Sequence, residues 1–151
     1  MQAVAYIGGS SLKNPTYAAI AVQIFDAAGH LLASICEPIG LQTNNYAEYH
    51  ALVRCLEEAC RLGVQRLTVY TDCEPLSKQW TGEYRVKASN IKPLYTTAKA
   101  LAEGIGVQVV YLQKDSNEQL QLVDRLAHAA AKHIQRFGNL HLQEDDDGTT
   151  D

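Results

Sequence analysis

Apolar positions along this chain follow two different periods, and the change falls near residue 44. Before it, AVAYIG at 3–8 and YAAIAVQIF at 17–25 are rich in apolar, β-branched and aromatic residues, which predicts two strands. The stretch GGSSLKNPT between them reads as a loop, because Gly, Asn and Pro favour turns over a continuing ladder. After Asp26 the turn-like AAGH leads to a third run, LLASICEPIGL, which meets a proline and a glycine near its end. The first forty residues therefore predict an antiparallel meander.

From Asn45 to Leu62 the period lengthens, with Ala51, Leu52, Cys55, Leu56 and Ala59 on one stripe of an amphipathic helix. Asn44 is expected to cap it and Gly63 to end it. RLTVYT at 66–71 predicts a short strand. EPLSKQW at 74–80 predicts a short helix, opened by Pro75 near its first turn and closed by Gly82. A helix over 91–104, a strand over 107–112 and a long helix over 117–136 follow, the last with the stripe Leu120, Val123, Ala127, Ala130 and Ile134. The order β-β-β-α-β-α-α-β-α is that of an α/β fold, a mixed sheet with helices on both faces.

A chain of 151 residues buries about two thirds of its unfolded surface and holds one core without staples. Neither a signal peptide nor a stretch of 18 apolar residues is present, so no membrane contact is expected and the chain is read as cytoplasmic and monomeric. Cys36, Cys55, Cys60 and Cys73 lack metal-type spacing and are expected to be reduced core residues. The net charge of −4 is misleading, because five of the seventeen acids crowd into the last eight residues. Residues 1–143 carry +1, so any grip on a phosphate backbone must come from a local patch. We expect a domain over 1–137 and an acidic, disordered tail over 138–151.

Three acids are out of place. Glu48 lies on the helix stripe that should face the sheet, either as a first-turn acid favoured by the helix dipole or as a buried charge that needs a partner. Asp72 stands at the carboxyl end of a strand, where open α/β sheets bind ligands, although it could also cap the helix that follows. Asp124 sits at the edge of the last helix's stripe, facing a cleft or a surface lysine. Carboxylates from three elements are the donor set that a hard divalent cation takes.

The residues around these acids resemble ribonuclease H of type 1. Thr43-Asn44-Asn45-Tyr46-Ala47-Glu48-Tyr49, Tyr70-Thr71-Asp72-Cys73 and Asp124-Arg125-Leu126-Ala127 are similar to three of that family's motifs, in its order. Gly82–Lys87 and Ile91–Tyr95 are similar to the archaeal and Gram-positive branch, which lacks a basic handle helix. The resemblance spans about residues 4–135 and implies a five-stranded mixed sheet with helices on both faces. It also implies cleavage of the RNA strand of an RNA–DNA hybrid with two Mg²⁺ or Mn²⁺ ions. Glu48, Asp72 and Asp124 would be the catalytic and metal-binding acids. Asn14, Thr43, Asn44, Asn45 and Lys87 would bind substrate, the amides reading the 2′-hydroxyl of the minor groove.

The pattern breaks at one position, since the family's first strand ends in Asp-Gly-Ser and this one has Gly8-Gly9-Ser10. The aspartate bridges both ions in the family, so one ion or none is expected here, with cleavage weak or lost. Glu74 adds a carboxylate where the family often has a neutral residue. The stretch between Tyr111 and Asp124 is about three residues longer than the pattern, nearly one helical turn. Asp115 and Glu118 in it are candidates for a relocated ligand. Lys13, Arg85, Lys87, Lys92 and Lys114 are candidate phosphate contacts, and Trp80 and Tyr84 either stack on nucleic acid or seal the core. Three functions compete: an active hybrid-specific endoribonuclease, a non-cleaving module for hybrids or structured RNA, and a protein-interaction domain on the same scaffold.

Overall fold

A computed structural model of the chain describes residues 1–13 and 16–146, with side chains up to residue 136. Five strands, β1 (Gln2–Ser11), β2 (Thr16–Asp26), β3 (Leu31–Gln42), β4 (Arg66–Thr71) and β5 (Gly106–Tyr111), form one sheet in the order β3-β2-β1-β4-β5. The first three pair antiparallel, while β4 lies parallel to β1 and β5 parallel to β4. The helices are α1 (Asn44–Arg61), α2 (Glu74–Trp80), α3 (Lys92–Ala102) and α4 (Glu118–Asp146), with a single 3-10 turn at Lys114–Ser116.

Strand alternation sorts β1 between two layers. Ala3, Ala5 and Ile7 are buried in the larger core with Leu52, Cys55, Leu56 and Ala59 of α1 and Ala98 of α3. Tyr6 faces the other way and stacks on Tyr70, at 5.3 Å between ring centroids, beside the smaller core of Ala21, Leu120, Val123 and Ala127 under α4. Strand β2 is covered on both faces, which is why Ala18–Ile24 is an almost unbroken buried run.

Several local expectations are corrected. Thr43, not Asn44, caps α1: its Oγ1 accepts from the Tyr46 N–H at 3.2 Å, and Asn44 is already the first helical residue. Gly63, at φ 77°, ends α1 as expected. On α4 the buried residue after Ala127 is Ala131 rather than Ala130, and Ile134 is only half-buried. That helix runs ten residues past Arg136, so residues 138–146 are helical where a disordered tail is expected. The extension contains no proline and includes the helix formers Leu140, Leu142 and Gln143. Residues 147–151 of that tail lie outside the described residues, as does Asn14.

All four cysteines are free, yet Cys36 and Cys60 are exposed; each Sγ lies near a backbone carbonyl, of Leu126 and Leu101 respectively. Trp80 packs edge-on to Tyr95 under the Lys99 ammonium, which lies 3.7 Å from the Trp80 ring centroid, and so seals the core. Tyr84 remains 47% exposed. No helix among the described residues is long and apolar enough to cross a membrane.

Helix α1 and strand β1 come very close at Gly9. A Cβ there would stand 2.5 Å from the Ala47 carbonyl carbon and 2.6 Å from the Glu48 nitrogen, both backbone atoms that cannot step aside. By contrast, a Cβ at Gly104 would meet nothing within 4 Å. We therefore expect Gly9→Ala to cost about 1–3 kcal/mol or more and Gly104→Ala to be neutral or stabilising by up to about 1 kcal/mol. Urea denaturation of the two variants checks this, and equal midpoints would contradict it.

Candidate functional site

Three elements meet at the carboxyl ends of β1 and β4. Gly9 admits the start of α1, and its N–H donates to Glu48 Oε1 at 3.1 Å. The Ser11 N–H donates to Asn44 Oδ1 at 2.7 Å, a second tie between the same strand and helix. Thus Thr43 and Asn44, expected as substrate contacts, each already commit a side-chain oxygen to fixing the start of α1. Asn45 is exposed beside them, and Lys87 is exposed in the loop over 81–91.

Glu48 is not a helix-end acid: no acid lies in the first turn of α1, and Glu48 is only 7% exposed. Its Oε2 is buried without a hydrogen-bond partner. Loss of water, followed by the charge of Asp72, holds its carboxyl well above the usual range; the Gly9 N–H opposes this, Asp124 adds to it, and the Thr71 hydroxyl opposes it least. Asp72 does not cap α2, whose N-cap is Cys73, without a side-chain cap bond. Burial and then the Asp124 charge raise Asp72, while Lys114 pulls it down. Burial chiefly, with help from Glu48 and Asp72, pushes the Cys73 thiol up to about 12, so it is no thiolate ligand.

Asp124 is half-exposed and accepts from Lys114 Nζ at 3.3 Å. Of its two alternatives the pairing with a lysine is the one observed, and its charge also acts on Glu48 and Asp72. Lys114 stands on the 3-10 turn before α4, and sequence reasoning places it only among the phosphate contacts. Nothing in a residue ten positions from its partner, across an irregular segment, signals the pairing.

Gly8 is the other half of the geometry. A Cβ there would lie 3.3 Å from the carbonyl carbon, the oxygen and Cγ2 of Val123. A side chain at residue 8 would therefore press on α4 by a few tenths of an ångström. Glu48, Asp72 and Asp124 feel one another's charge, yet among the described residues no group of three His, Cys, Asp or Glu is arranged to hold a metal ion. The bare Glu48 Oε2 suits a cation, but without a ligand at residue 8 the residues present do not fit a two-ion site. Asp115 is exposed, and its charge acts on Lys114. Glu118 is exposed at the start of α4.

A family profile described as reverse transcriptase-like matches residues 7–130. The chain belongs to that family, as a ribonuclease H type 1-like domain. The bifunctional protein Rv2228c of Mycobacterium tuberculosis is 34% identical over 103 residues, 68% of this chain; the chain spans only 28% of that protein's length. The solved N-terminal RNase H domain of that protein, fused to maltose binding protein, superposes with a TM-score of 0.85 at 29% identity, covering 91% of this chain and 98% of the other. Ribonuclease HI of Halobacterium salinarum is 30% identical over 127 residues, 83% of this chain and 62% of the relative. LC11-RNase H1, solved in complex with an RNA/DNA hybrid, gives a TM-score of 0.80 at 27% identity over 88% of this chain and 99% of that one.

In this ribonuclease H-like domain the folded state holds the Glu48 proton more tightly than the unfolded chain does. For a raised carboxyl, stability is fullest below the unfolded value near 4.5 and is lost as pH climbs toward the folded value. Glu48→Gln keeps an oxygen for the Gly9 N–H and removes the charge. We expect the variant to melt above the unaltered chain at pH 7, with the advantage shrinking toward pH 4. Melting curves across that range check it, and a variant less stable at neutral pH would count against it.

Proposed function

We propose that this domain docks on RNA–DNA hybrids, or on RNA structured to the same A-like shape, and cuts them weakly or not at all. Recognition is supported by likeness to a domain solved on a hybrid and by the exposed Asn45 amide and Lys87 ammonium near the start of α1 and in the 81–91 loop. An amide can accept from and donate to a 2′-hydroxyl, and an ammonium can neutralise a phosphate. Asn14 belongs to the same proposed contact set, as do Thr43 and Asn44. The domain would act as a cytoplasmic monomer.

Weak cleavage is supported by one observation: residue 8 is a glycine with no carboxylate to offer, and Val123 stands 3.3 Å from where a Cβ would be, so a side chain there requires a shift of a few tenths of an ångström. In the two-ion reaction Mg²⁺ or Mn²⁺ activates water and stabilises the leaving oxygen. Glu48, Asp72 and Asp124 would be the acids to hold such ions, but among the described residues they are not arranged as a metal-holding group.

Three measurements test this reading. In a hybrid-cleavage assay with Mg²⁺ or Mn²⁺ the unaltered chain should stay near background and Gly8→Asp should exceed it, short of full restoration because α4 must yield. Hybrid binding should be measurable without divalent ions. Asn45→Ala should weaken it by about 1 kcal/mol, some fivefold, and Lys87→Ala should reduce the salt dependence by about one counter-ion. Strong cleavage by the unaltered chain refutes the proposal, whereas absent hybrid affinity favours a protein-interaction domain.

A further inference from the structure

We infer that the outer face of α4, from Arg125 to Arg136, is a further phosphate-contact surface, gripping the backbone of a hybrid where the duplex runs on past the carboxylate site. This role rests on the docking function proposed above. Residues 1–143 carry +1 in all, so a grip on phosphate has to come from a local excess of positive charge. Residues 125–136 supply one: Arg125, Lys132 and Arg136 with two histidines, and no acid in twelve residues. At 3.6 residues per turn the three cations fall within about 40° of one another around the helix. All three are exposed, as is Ala129 between them, while Val123 and Ala127 are buried on the opposite side. Ala129, Lys132, His133, Gln135 and Arg136 line an open groove on that face.

A solvated helix face ordinarily mixes signs, as on α1, where Arg54 pairs with Glu37 and Glu58, and Arg61 with Glu58. On α4, among the described residues, Arg125, Lys132 and Arg136 have no ion-pair partner. Lys132 and Arg136 stand four residues apart, a like-charge spacing that opposes the helix. Nor does the helix dipole account for them, because α4 continues to Asp146 with no basic residue in its last turn. A row of phosphates would relieve that repulsion. The placement suits one. Val123 lies against Gly8 and His128 Nδ1 is 3.5 Å from Ser10 Oγ, so α4 climbs β1 in the strand's own direction. The next residue, Ser11, holds Asn44 at the start of α1. The basic face therefore begins one residue after Asp124, at the end of the sheet where Asn45 is exposed. From Arg125 to Arg136 the helix rises about 17 Å, which matches about five phosphates at ~3.4 Å each along one strand.

Binding of hybrids in a length series is measured against salt, without divalent ions. The proteins are the full chain, the same chain carrying Arg125→Gln, Lys132→Gln and Arg136→Gln together, and Arg66→Gln, an exposed cation at the amino end of β4. On the longest hybrids the triple variant should lose about 2–3 from the slope of log affinity against log salt and bind about tenfold or more weakly at ~0.1 M salt. Arg66→Gln should lose neither. The loss should fade as hybrids become too short to reach from Asn45 to Arg136. Glutamine keeps helix propensity and removes the like charges, so the triple variant should melt no lower than the unaltered chain; a lower melting temperature would give the basic face a structural role and count against the inference. Equal salt slopes in all three proteins overturn it and leave docking to Asn45 and Lys87. A loss that is the same at every length also overturns it, since the contact would then not lie on a flank. Absent hybrid affinity in the unaltered chain removes the docking function and this role together, whereas failure of the role alone leaves that affinity in place.

Discussion

Two adjacent glycines at the end of β1 decide how closely two helices approach one strand, and the site is built out of those approaches. Gly9 faces α1, where its missing Cβ lets the backbone of Ala47 and Glu48 come nearer than any side chain would allow. That approach puts the Gly9 N–H within 3.1 Å of Glu48 and so fixes the innermost carboxylate. Gly8 faces α4, and there the missing side chain has been used to bring Val123, and with it Asp124, against the strand. Close packing makes these approaches steep: a few tenths of an ångström separate ordinary contact from a clash.

Electrostatics follows from that geometry. Glu48 is drawn out of water beside Asp72 and Asp124, and burial is the largest influence on its proton. Buried acids of like charge oppose folding at neutral pH unless something positive joins them. Lys114 supplies that charge from the 3-10 turn, at the rim where Asp124 is still half in water. The site is therefore graded, from a buried carboxyl at Glu48 to an ion pair at the surface.

Period and punctuation made most of the fold legible. The switch from strand-like runs to a 3.6-residue stripe at α1 and the Pro75 and Gly82 bracket around α2 place those elements to within a residue. Glu48 stands out in sequence because an acid on a core-facing stripe conflicts with burial, and it is indeed the most perturbed carboxyl. The cap of α1 was less legible, since Thr43 and Asn44 are both good caps and only the backbone angles choose between them. The length of α4 was hidden by its acidic end, which reads as solvated chain although its backbone continues as helix. Neither the Lys114–Asp124 pair nor the Gly8–Val123 contact could be read in advance, because both depend on how α4 leans on the sheet.

That lean connects the missing acid to everything around it. Were Gly8 a simple deletion of a carboxylate, the site would hold a hole the size of the lost side chain, ready to be refilled. Instead, α4 is packed against the strand at that point and forms a core of Ala21, Leu120, Val123 and Ala127 that depends on the close approach. An aspartate at residue 8 would have to win a few tenths of an ångström from Val123, so the apolar packing and a carboxylate there oppose each other. The start of α1 lies on the opposite face of β1 and is held by Gly9, Ser11 and the Thr43 cap, so Glu48 is fixed from one face of the strand while Asp124 comes in on α4 from the other.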